Sequence, residues 1–404
     1  MMYRISPFLR RFALALLCGI GLATLWANLW PAGYYDFIEW RIADPNLPDW
    51  IWAGTVTLTP FMVVTDMLMA LFFFFIGKEL WEALVLERGS LSGRRAGLPL
   101  GLSIGGMIGA AAAWLTLSAL IETAEEAVPG GGWTVPLGSD TVLIYLFARM
   151  AFGRGHPALH LTILMAISTD ILALLVLGLS NPNLSVRLVW LALPLLAAVV
   201  VGRLFGRRPS VDATERRRLR GQRLWPYLLA GAVSWFGTAA SGMPASLGLL
   251  PIIPAIARAE RSFGLFAEAE GLLNDPLNRL TRAIMWPLTA ILFLFGLIRG
   301  GVDLLAFAPT TAVTLGALWI GRPLGLALAA LVLISLFGNR LPRRVGWRHL
   351  AVIAPLMAIG FSVPAVAIGA ALPGGAMAEA ARAGLVLSLL AGPAALLLAR
   401  ILKV

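Results

Sequence analysis

The sequence predicts an all-α membrane protein of about twelve transmembrane helices, which form one polytopic domain over residues 1–404. Two observations lead to this prediction. The chain is 59% hydrophobic and only 13% charged, whereas a soluble domain carries about 25% charged residues. Apolar runs of membrane-spanning length also recur from one end of the chain to the other, which excludes a single anchor attached to a soluble domain.

The apolar runs divide the chain into segments joined by short polar connections. The first run follows Arg10 and Arg11, and no clear cleavage site comes after it. We therefore interpret it as a retained helix and not as a signal peptide. The segments are 12–30, 61–77, 97–121, 134–152, 157–179, 186–204, 223–240, 244–259, 276–298, 309–338, 349–371 and 378–402.

The net charge of +11 does not indicate a nucleic-acid partner, because basic connections alternate with acidic or neutral ones. The positive-inside rule then places both termini in the cytoplasm of a bacterial inner membrane. Cys18 is the only cysteine, so an intrachain disulfide is excluded. The basic connections include Arg88, Arg94, Arg95, Arg149, Arg154, Arg203, Arg216, Arg217, Arg218, Arg258, Arg261, Arg340, Arg343 and Arg344.

Three glycines recur at four-residue spacing in the third segment, at Gly101, Gly105 and Gly109. Small residues on one face allow two membrane helices to approach closely, so we expect this face to pack against another helix. A nucleotide-binding loop is the competing interpretation, but it requires a strand before the glycines.

An aspartate lies near the middle of the fifth segment, at Asp170. A carboxylate at that depth must be protonated, paired or bound to a cation, and a proton-coupled cation carrier alternates between such states. Ser168 and Thr169 add hydroxyl oxygens that suit a hard cation, so Asp170 and Thr169 are candidate cation ligands. The alternative is a protonated aspartate that hydrogen-bonds a neighbouring helix.

A second aspartate, Asp140, follows Ser139 in the fourth segment. Pro136 and Gly138 precede it and predict a break in the helix. Broken helices expose carbonyls and helix ends that bind ions at the bilayer midplane. Asp140 either takes part in such a site or only caps the break.

Arg322 begins Gly321-Arg322-Pro323-Leu324-Gly325 inside the tenth segment. An arginine at that depth requires an anionic partner or a path to the interface. We expect it to be the counter-charge of a carboxylate, and the alternative is that it marks the end of the segment.

The second segment ends with Lys78, Glu79 and Glu82. Lys78 and Glu82 are four residues apart, so they can pair on one helix face. The acidic turn either attracts cations at the mouth of a funnel or is a solvated helix end.

The sequence gives little support to an enzyme. His156, His160 and His349 lie at segment ends or in connections, and no nucleophile–histidine arrangement is visible. An intramembrane hydrolase needs two facing aspartates, a requirement that Asp140 and Asp170 meet in number only. No cofactor is expected.

An ordered set of motifs resembles the NhaA-type sodium/proton antiporter family over nearly the whole chain. The motifs are Met69 to Phe73 through Gly77-Lys78-Glu79, Gly105 to Ile108, Gly132 to Pro136, Asp140, Asp170, Ser241-Gly242, Gly321 to Gly325 and Ile359 to Ser362. The resemblance implies inverted repeats, with segments four and eleven broken and crossing near the midplane. Pro136 and Gly138 fit the first break, and Gly360 and Pro364 fit the second.

The resemblance also implies roles for individual residues. Asp170 is the expected cation-and-proton carboxylate, with Ser139 and Asp140 at the crossing. Glu79 is expected at the cytoplasmic pH-responsive end, together with Glu82, and Asp66 matches an acidic position in the second helix.

Three positions depart from the family pattern. Thr169 replaces the first of two adjacent aspartates, Arg322 replaces a lysine, and Pro244 replaces a histidine associated with the pH response. We expect a secondary antiporter that exchanges Na⁺ or Li⁺ for protons. The alternative is a transport-inactive homologue in which Arg322 permanently neutralises Asp170. The expected partners are these ions and the lipid bilayer, with a homodimer left open.

Overall fold

The chain is built from helices throughout the part that the computed structural model describes. That part comprises residues 6–45, 48, 57–85, 96–121, 130–180, 187–206, 222–257, 265–268, 272–303, 307–372 and 374–404. Within it, the β pairing consists of one isolated bridge between Ala43 and Leu58. The all-α class predicted from the sequence is therefore confirmed.

The helices follow one another with short connections. They are α1 (Phe8–Leu29), α2 (Pro31–Ile38), α3 (Pro60–Val85), α4 (Gly97–Ile121), α5 (Thr141–Phe152), α6 (Pro157–Leu179), α7 (Leu188–Gly206), α8 (Trp225–Ala240), α9 (Pro276–Arg299), α10 (Pro309–Ser335), α11 (Trp347–Met357), α12 (Ser362–Ala371) and α13 (Ala376–Leu402). Between these helices, the described residues form 3₁₀ helices at Gly130–Leu137, Ala245–Leu247 and Leu250–Ala255, and α7 begins with a 3₁₀ turn at Leu188–Leu191.

Most of the predicted segments are long enough to cross a membrane. Among the described residues, eight helices have spanning length and apolarity, and two bent helix pairs bring the total to ten. Segment 223–240 forms the 16-residue helix α8. Segment 244–259 forms 3₁₀ helices and not a regular α-helix, because Pro251 and Pro254 remove backbone donors from it.

The two predicted helix breaks are present. The 3₁₀ helix Gly130–Leu137 and α5 meet at 51°, and α11 and α12 meet at 46°. Gly138 lies in the first break and Gly360 in the second, as expected from the sequence. Each bent pair stands between long helices, α4 and α6 for the first and α10 and α13 for the second.

The glycine face of α4 packs against α10 as predicted. A Cβ atom added at Gly109 would lie 2.3 Å from the carbonyl oxygen of Gly321 and 2.6 Å from Cα of Gly325. One added at Gly105 would lie 2.2 Å from Cβ of Ala329. The two backbones are therefore in contact. This contact holds the middle of α10, where Arg322 lies, against α4.

Helix α6 lies at the centre of the molecule. Of its most apolar 18-residue window, 83% is buried inside the protein, against 11% for α7. Ser103 of α4 also donates a hydrogen bond to the carbonyl of Met165 at 3.0 Å. A charge on α6 is consequently shielded from both water and lipid, and its stabilisation must come from neighbouring protein groups.

Candidate functional site

Asp170 is buried and is bound by four hydrogen-bond donors from the first helix break. Its Oδ1 accepts from the backbone N–H of Ser139 at 2.8 Å and from the Ser139 hydroxyl at 2.7 Å. Its Oδ2 accepts from the backbone N–H of Thr141 at 3.2 Å and from the Thr141 hydroxyl at 2.7 Å. Four donors directed at one carboxyl group stabilise its ionised form, since an ionised carboxylate only accepts hydrogen bonds.

Asp140 connects the two helix breaks. Its Oδ1 accepts the N–H of Leu143 at 2.9 Å and so caps α5. Its Oδ2 accepts the N–H of Ser362 at 3.1 Å, at the start of α12, and also the Ser362 hydroxyl. The carboxylate therefore satisfies orphan donors at two helix N-termini, which agrees with the capping interpretation of this residue.

Arg322 binds the opposite ends of the broken helices. Its guanidinium donates to the carbonyl of Met357 at 3.0 Å, to that of Gly138 at 2.6 Å and to that of Pro136. The side chain is 1% exposed. No direct ion pair joins it to a carboxylate in the described part of the chain: Asp170 attracts it from beyond ion-pair distance, and its hydrogen-bond partners are backbone carbonyls.

The three charged residues fit the polarity of the helix ends at the crossing. Helix N-termini carry partial positive charge, and Asp140 and Asp170 lie there. The carbonyl ends carry partial negative charge, and Arg322 lies there. Gly138 permits this close crossing, because an added Cβ would lie 2.4 Å from Cβ of Val363 on α12.

Thr169 precedes Asp170 on α6 and is also buried. Its hydroxyl oxygen has no hydrogen-bond partner among the described residues. A buried hydroxyl without a partner is uncommon in proteins, because it loses its hydration without compensation. The residue next to the central carboxylate thus carries a hydroxyl oxygen that is available as a ligand.

The acidic turn of α3 contradicts one of the two interpretations of the sequence, the solvated helix end. Lys78 Nζ lies 3.1 Å from Oε1 of Glu79 and 3.0 Å from Oε2 of Glu82, which confirms the predicted pairing at four residues. All three side chains are buried, however, so the turn is not a solvated helix end. Oε2 of Glu79 accepts the N–H of Phe266 at 2.5 Å, which ties α3 to a distant connection.

Two of the histidines form a contact that the sequence did not reveal. The rings of His156 and His349 stack with centroids 4.9 Å apart and an interplanar angle of 1°. His156 precedes α6, and burial and the nearby Arg344 charge lower its pKa. Among the described residues, no group of three or more histidine, cysteine, aspartate or glutamate side chains could hold a metal ion.

Sequence reasoning missed Thr141 and Ser362 as partners of the two aspartates. Both had a signal in the sequence. Thr141 directly follows Ser139-Asp140, where a helix resumes after a break and its first N–H groups need acceptors. Ser362 follows Gly360-Phe361 in the second break, the equivalent position in the other bent pair.

The helices and the site define a class of protein. The described residues contain up to ten candidate spans, two of them bent, and three charged side chains buried where the bent pairs meet. These are the features of a multi-pass secondary ion transporter. The predicted fold class of transmembrane helices with two broken members is confirmed.

Comparison with known proteins identifies the family. The Na⁺/H⁺ antiporter 1 family matches residues 10–399, and the chain belongs to it. A Na⁺/H⁺ antiporter NhaA of Jannaschia sp. is 35% identical, with 100% of this chain and 99% of the relative covered. A Na⁺/H⁺ antiporter NhaA of Geobacter sulfurreducens is 30% identical, with 98% and 97% covered.

A match among solved structures is the sodium proton antiporter MjNhaP1 from Methanocaldococcus jannaschii at pH 8. It covers 95% of this chain and 98% of its own, with a TM-score of 0.47 and 15% sequence identity.

Proposed function

We propose that the protein exchanges Na⁺ or Li⁺ for protons and that Asp170 binds the cation and the proton alternately. The observation that carries this proposal is a buried carboxylate near the middle of a central span, which is bound by hydrogen-bond donors and forms no direct ion pair with a cationic side chain among the described residues. A negative charge in such a place requires compensation, and either a bound monovalent cation or a proton supplies it.

The hydroxyls around Asp170 suit both states of this cycle. In the structure, the hydroxyls of Ser139 and Thr141 donate to the carboxylate. Each hydroxyl also carries lone pairs, so a rotation about its C–O bond presents oxygen to an incoming cation. The free hydroxyl of Thr169 lies on the adjacent residue. Oxygen ligands of this kind match the preference of hard cations such as Na⁺ and Li⁺.

The structure favours transport over an inactive homologue. A permanently neutralised Asp170 would form a direct ion pair with Arg322. Instead, Arg322 donates to three backbone carbonyls, and Asp170 accepts from Ser139 and Thr141. The hydrogen bonds of Arg322 thus go to the helix ends, which supports a carboxylate at Asp170 that can still gain and lose a proton.

The structure also argues against an intramembrane hydrolase. Two catalytic aspartates must share one water molecule between their carboxyl groups. Asp140 is bound by Leu143 and Ser362, whereas Asp170 is bound by Ser139 and Thr141. Among the described residues, the two carboxyl groups therefore have no hydrogen-bond donor in common.

Transport by purified protein in proteoliposomes tests the proposal. A pulse of Na⁺ or Li⁺ should drive proton movement in the opposite direction, and choline at the same ionic strength should not. The absence of any cation-dependent proton flux would favour the inactive homologue. A response to K⁺ equal to that for Na⁺ and Li⁺ would contradict the proposed cation choice.

We further propose that the exchange is electroneutral. Thr169 does not titrate near neutral pH and the guanidinium of Arg322 stays protonated, which leaves Asp170 as the main titrating group at the site. One carboxylate that releases one proton for one monovalent cation moves no net charge. An exchanger that moved one net charge would change its final cation gradient about 50-fold under 100 mV, because that charge is worth about 2.3 kcal/mol.

The measurement is the final Na⁺ gradient in proteoliposomes at imposed potentials of either sign. We expect it to change less than about two-fold, far below the voltage response of an electrogenic exchanger. Vesicles without ionophore are the control for leak. A gradient that follows the potential would show that a second titrating group, with Asp140 the first candidate, contributes a proton.

We also propose that the protein lies in the bacterial inner membrane with both termini in the cytoplasm. The support is the alternation of basic with acidic or neutral connections, many of which, including Arg88, Glu122 and Arg216, lie outside the described residues. A cytoplasm-active reporter fused after Val404 should be active, and a periplasm-active reporter should be silent. The reverse pattern would overturn this orientation.

A further inference from the structure

The two oxygens of the Asp170 carboxyl group have matching sets of donors. Each oxygen accepts one backbone N–H and one hydroxyl, from Ser139 at Oδ1 and from Thr141 at Oδ2. Both hydroxyl oxygens lie 2.7 Å from the carboxylate oxygen that they bind. The lengths of these hydrogen bonds therefore do not decide which of the two oxygens a proton binds.

The two hydroxyls differ in the other acceptors that they can reach. Ser139 Oγ also lies 3.4 Å from the carbonyl oxygen of Ala166, which is four residues before Asp170 on α6. A rotation about the C–O bond of Ser139 can thus move its proton from Oδ1 to that carbonyl. The hydroxyl of Thr141 forms no second hydrogen bond within the part of the chain that the structure describes.

This difference affects protonation, because a protonated carboxyl oxygen becomes a donor and needs an acceptor. At Oδ1 the acceptor is Ser139 Oγ, whose own proton then points to Ala166. At Oδ2 the acceptor would be Thr141 Oγ1, whose own proton would be left buried without a partner. The backbone N–H groups can accept at neither oxygen. A buried donor without an acceptor is costly, so the geometry favours protonation at Oδ1.

We propose that the exchanged proton binds Oδ1 of Asp170 and that Thr141 is a positioning residue, which keeps Oδ2 an acceptor throughout the cycle. This inference rests on the proposed function. Proton binding forms one O–H bond at Oδ1, with a proton that comes from water, and breaks no covalent bond in the protein. The hydroxyl of Ser139 turns to Ala166 when the proton binds and returns to Oδ1 when the proton leaves, whereas the hydroxyl of Thr141 does not turn.

The proposed role predicts that Thr141 affects proton binding more than cation binding. The carboxylate of Asp170 is ionised both before and after Na⁺ binds, so the hydrogen bond from Thr141 is charge-assisted in both of these states. Protonation makes the carboxyl group neutral, and a neutral hydrogen bond is about half as strong. Loss of the Thr141 hydroxyl therefore disfavours both ionised states and leaves the affinity for Na⁺ nearly unchanged.

Infrared difference spectroscopy can identify the protonated oxygen without any transport measurement. The C=O stretch of a protonated carboxyl group falls in frequency when its carbonyl oxygen accepts hydrogen bonds. Spectra of the reconstituted protein at alkaline pH are subtracted from those at acid pH, and the Asp170 band is the one absent from Asp170→Asn. In the proposal the carbonyl oxygen is Oδ2, so the frequency of this band reports the hydrogen bonds from Thr141.

We expect Thr141→Val to move the Asp170 band to higher frequency and Thr141→Ser to restore its position. Ser139→Ala should leave the band in place. Thr162→Val is the matched control, because the buried hydroxyl of Thr162 on α6 donates to the carbonyl of Ala158 at 2.7 Å and not to the site. A shift in Ser139→Ala, or no shift in a folded Thr141→Val, would overturn the proposal. Ser139→Ala decides between the two oxygens even if Thr141→Val fails to fold.

Transport kinetics provide the second measurement. The half-saturating Na⁺ concentration is determined from alkaline to acid pH, which separates the affinity for Na⁺ from competition by protons. In Thr141→Val, the proton concentration that doubles the half-saturating Na⁺ concentration should fall about five-fold, and the alkaline limit should change less than about two-fold. Thr141→Ser should restore the parental values. A larger effect on the alkaline limit than on proton competition would make Thr141 a cation ligand and overturn its positioning role.

The spectra also separate failure of this inference from failure of the proposed function. A parent protein in which no Asp170 band appears between alkaline and acid pH would contradict the proposed function, because Asp170 would then not titrate. An Asp170 band that titrates but responds to Ser139→Ala would leave the proposed function intact and refute only the assignment of the proton to Oδ1.

Discussion

Cation-dependent proton exchange is expected to fall at least about 100-fold in Asp170→Asn, to the level of empty vesicles, because the proposed exchange site loses the group that titrates. Asparagine has nearly the same volume, and its carbonyl oxygen can accept the donors of Ser139 or of Thr141. It can neither bind a proton reversibly nor cancel the charge of a cation. The measurement is initial proton flux after a Na⁺ pulse, with purified protein reconstituted at equal amounts.

In Asp170→Asn, the NH₂ group of the new amide also faces donors that had formed hydrogen bonds to the carboxylate. One hydroxyl can rotate to accept from it, but a backbone N–H cannot. We therefore expect a modest loss of stability, of about 1–3 kcal/mol, with the fold retained. A monodisperse chromatographic peak and a cooperative thermal transition would separate loss of function from misfolding.

Asp140→Asn is the matched control, since it removes one buried carboxylate from the same crossing. Asp140 caps α5 and the start of α12, so its replacement should weaken the crossing and slow exchange without abolishing it. Normal exchange by Asp170→Asn would refute the assignment of Asp170. Complete loss in Asp140→Asn at full stability would make Asp140 an equal partner in the cycle.

Asp170 was predicted as a site residue from the sequence because a charge deep in an apolar segment is costly, and that depth is visible in the sequence. Of the residues that donate to it, Ser139 was expected at the crossing from the family resemblance, but Thr141 was not. Ser139 and Thr141 are 31 and 29 positions away, and they reach Asp170 only because the fourth segment breaks between them. Proline and glycine predicted the break, but the packing of two broken helices decides which side chains meet there.

The binding partners of Arg322 could not be predicted from the formal charges in the sequence. The sequence reasoning paired it with a carboxylate, since opposite formal charges are visible in a sequence. Helix breaks also create unsatisfied carbonyls, which carry partial charge but no sequence signature of their own. The observed partners are three such carbonyls, at Pro136, Gly138 and Met357.

The buried cluster of Lys78, Glu79 and Glu82 was also predictable only in part. Spacing along one helix predicted the Lys78–Glu82 pair, which depends on local geometry alone. Burial of the cluster depends on the connection that contains Phe266, which is 187 residues from Glu79 in the chain. Local periodicity contains no information about such a contact.

Arg322→Met is expected to cause the largest loss of stability among substitutions at the crossing. Methionine fills similar space but donates no hydrogen bond, so the carbonyls of Pro136, Gly138 and Met357 lose a buried donor. Each unsatisfied group costs about 1–3 kcal/mol, and together they remove several kcal/mol from a protein of ordinary stability. The midpoint of thermal unfolding in detergent should fall by about 4–10 °C, and exchange should fall to background.

Arg322→Lys separates charge from hydrogen-bond geometry. An ammonium has three donors and one positive charge, so it can bind part of the carbonyl set, and stability should lie between those of the parent and Arg322→Met. A buried lysine can also lose its proton, unlike the guanidinium. Even so, Thr169 supplies no second acid beside Asp170, so we expect Arg322→Lys to transport slowly and to remain insensitive to voltage. A voltage-driven gradient in Arg322→Lys alone would show that the residue at this position sets the number of protons exchanged. Parental stability in Arg322→Met would instead show that the carbonyl ends of the broken helices need no cation.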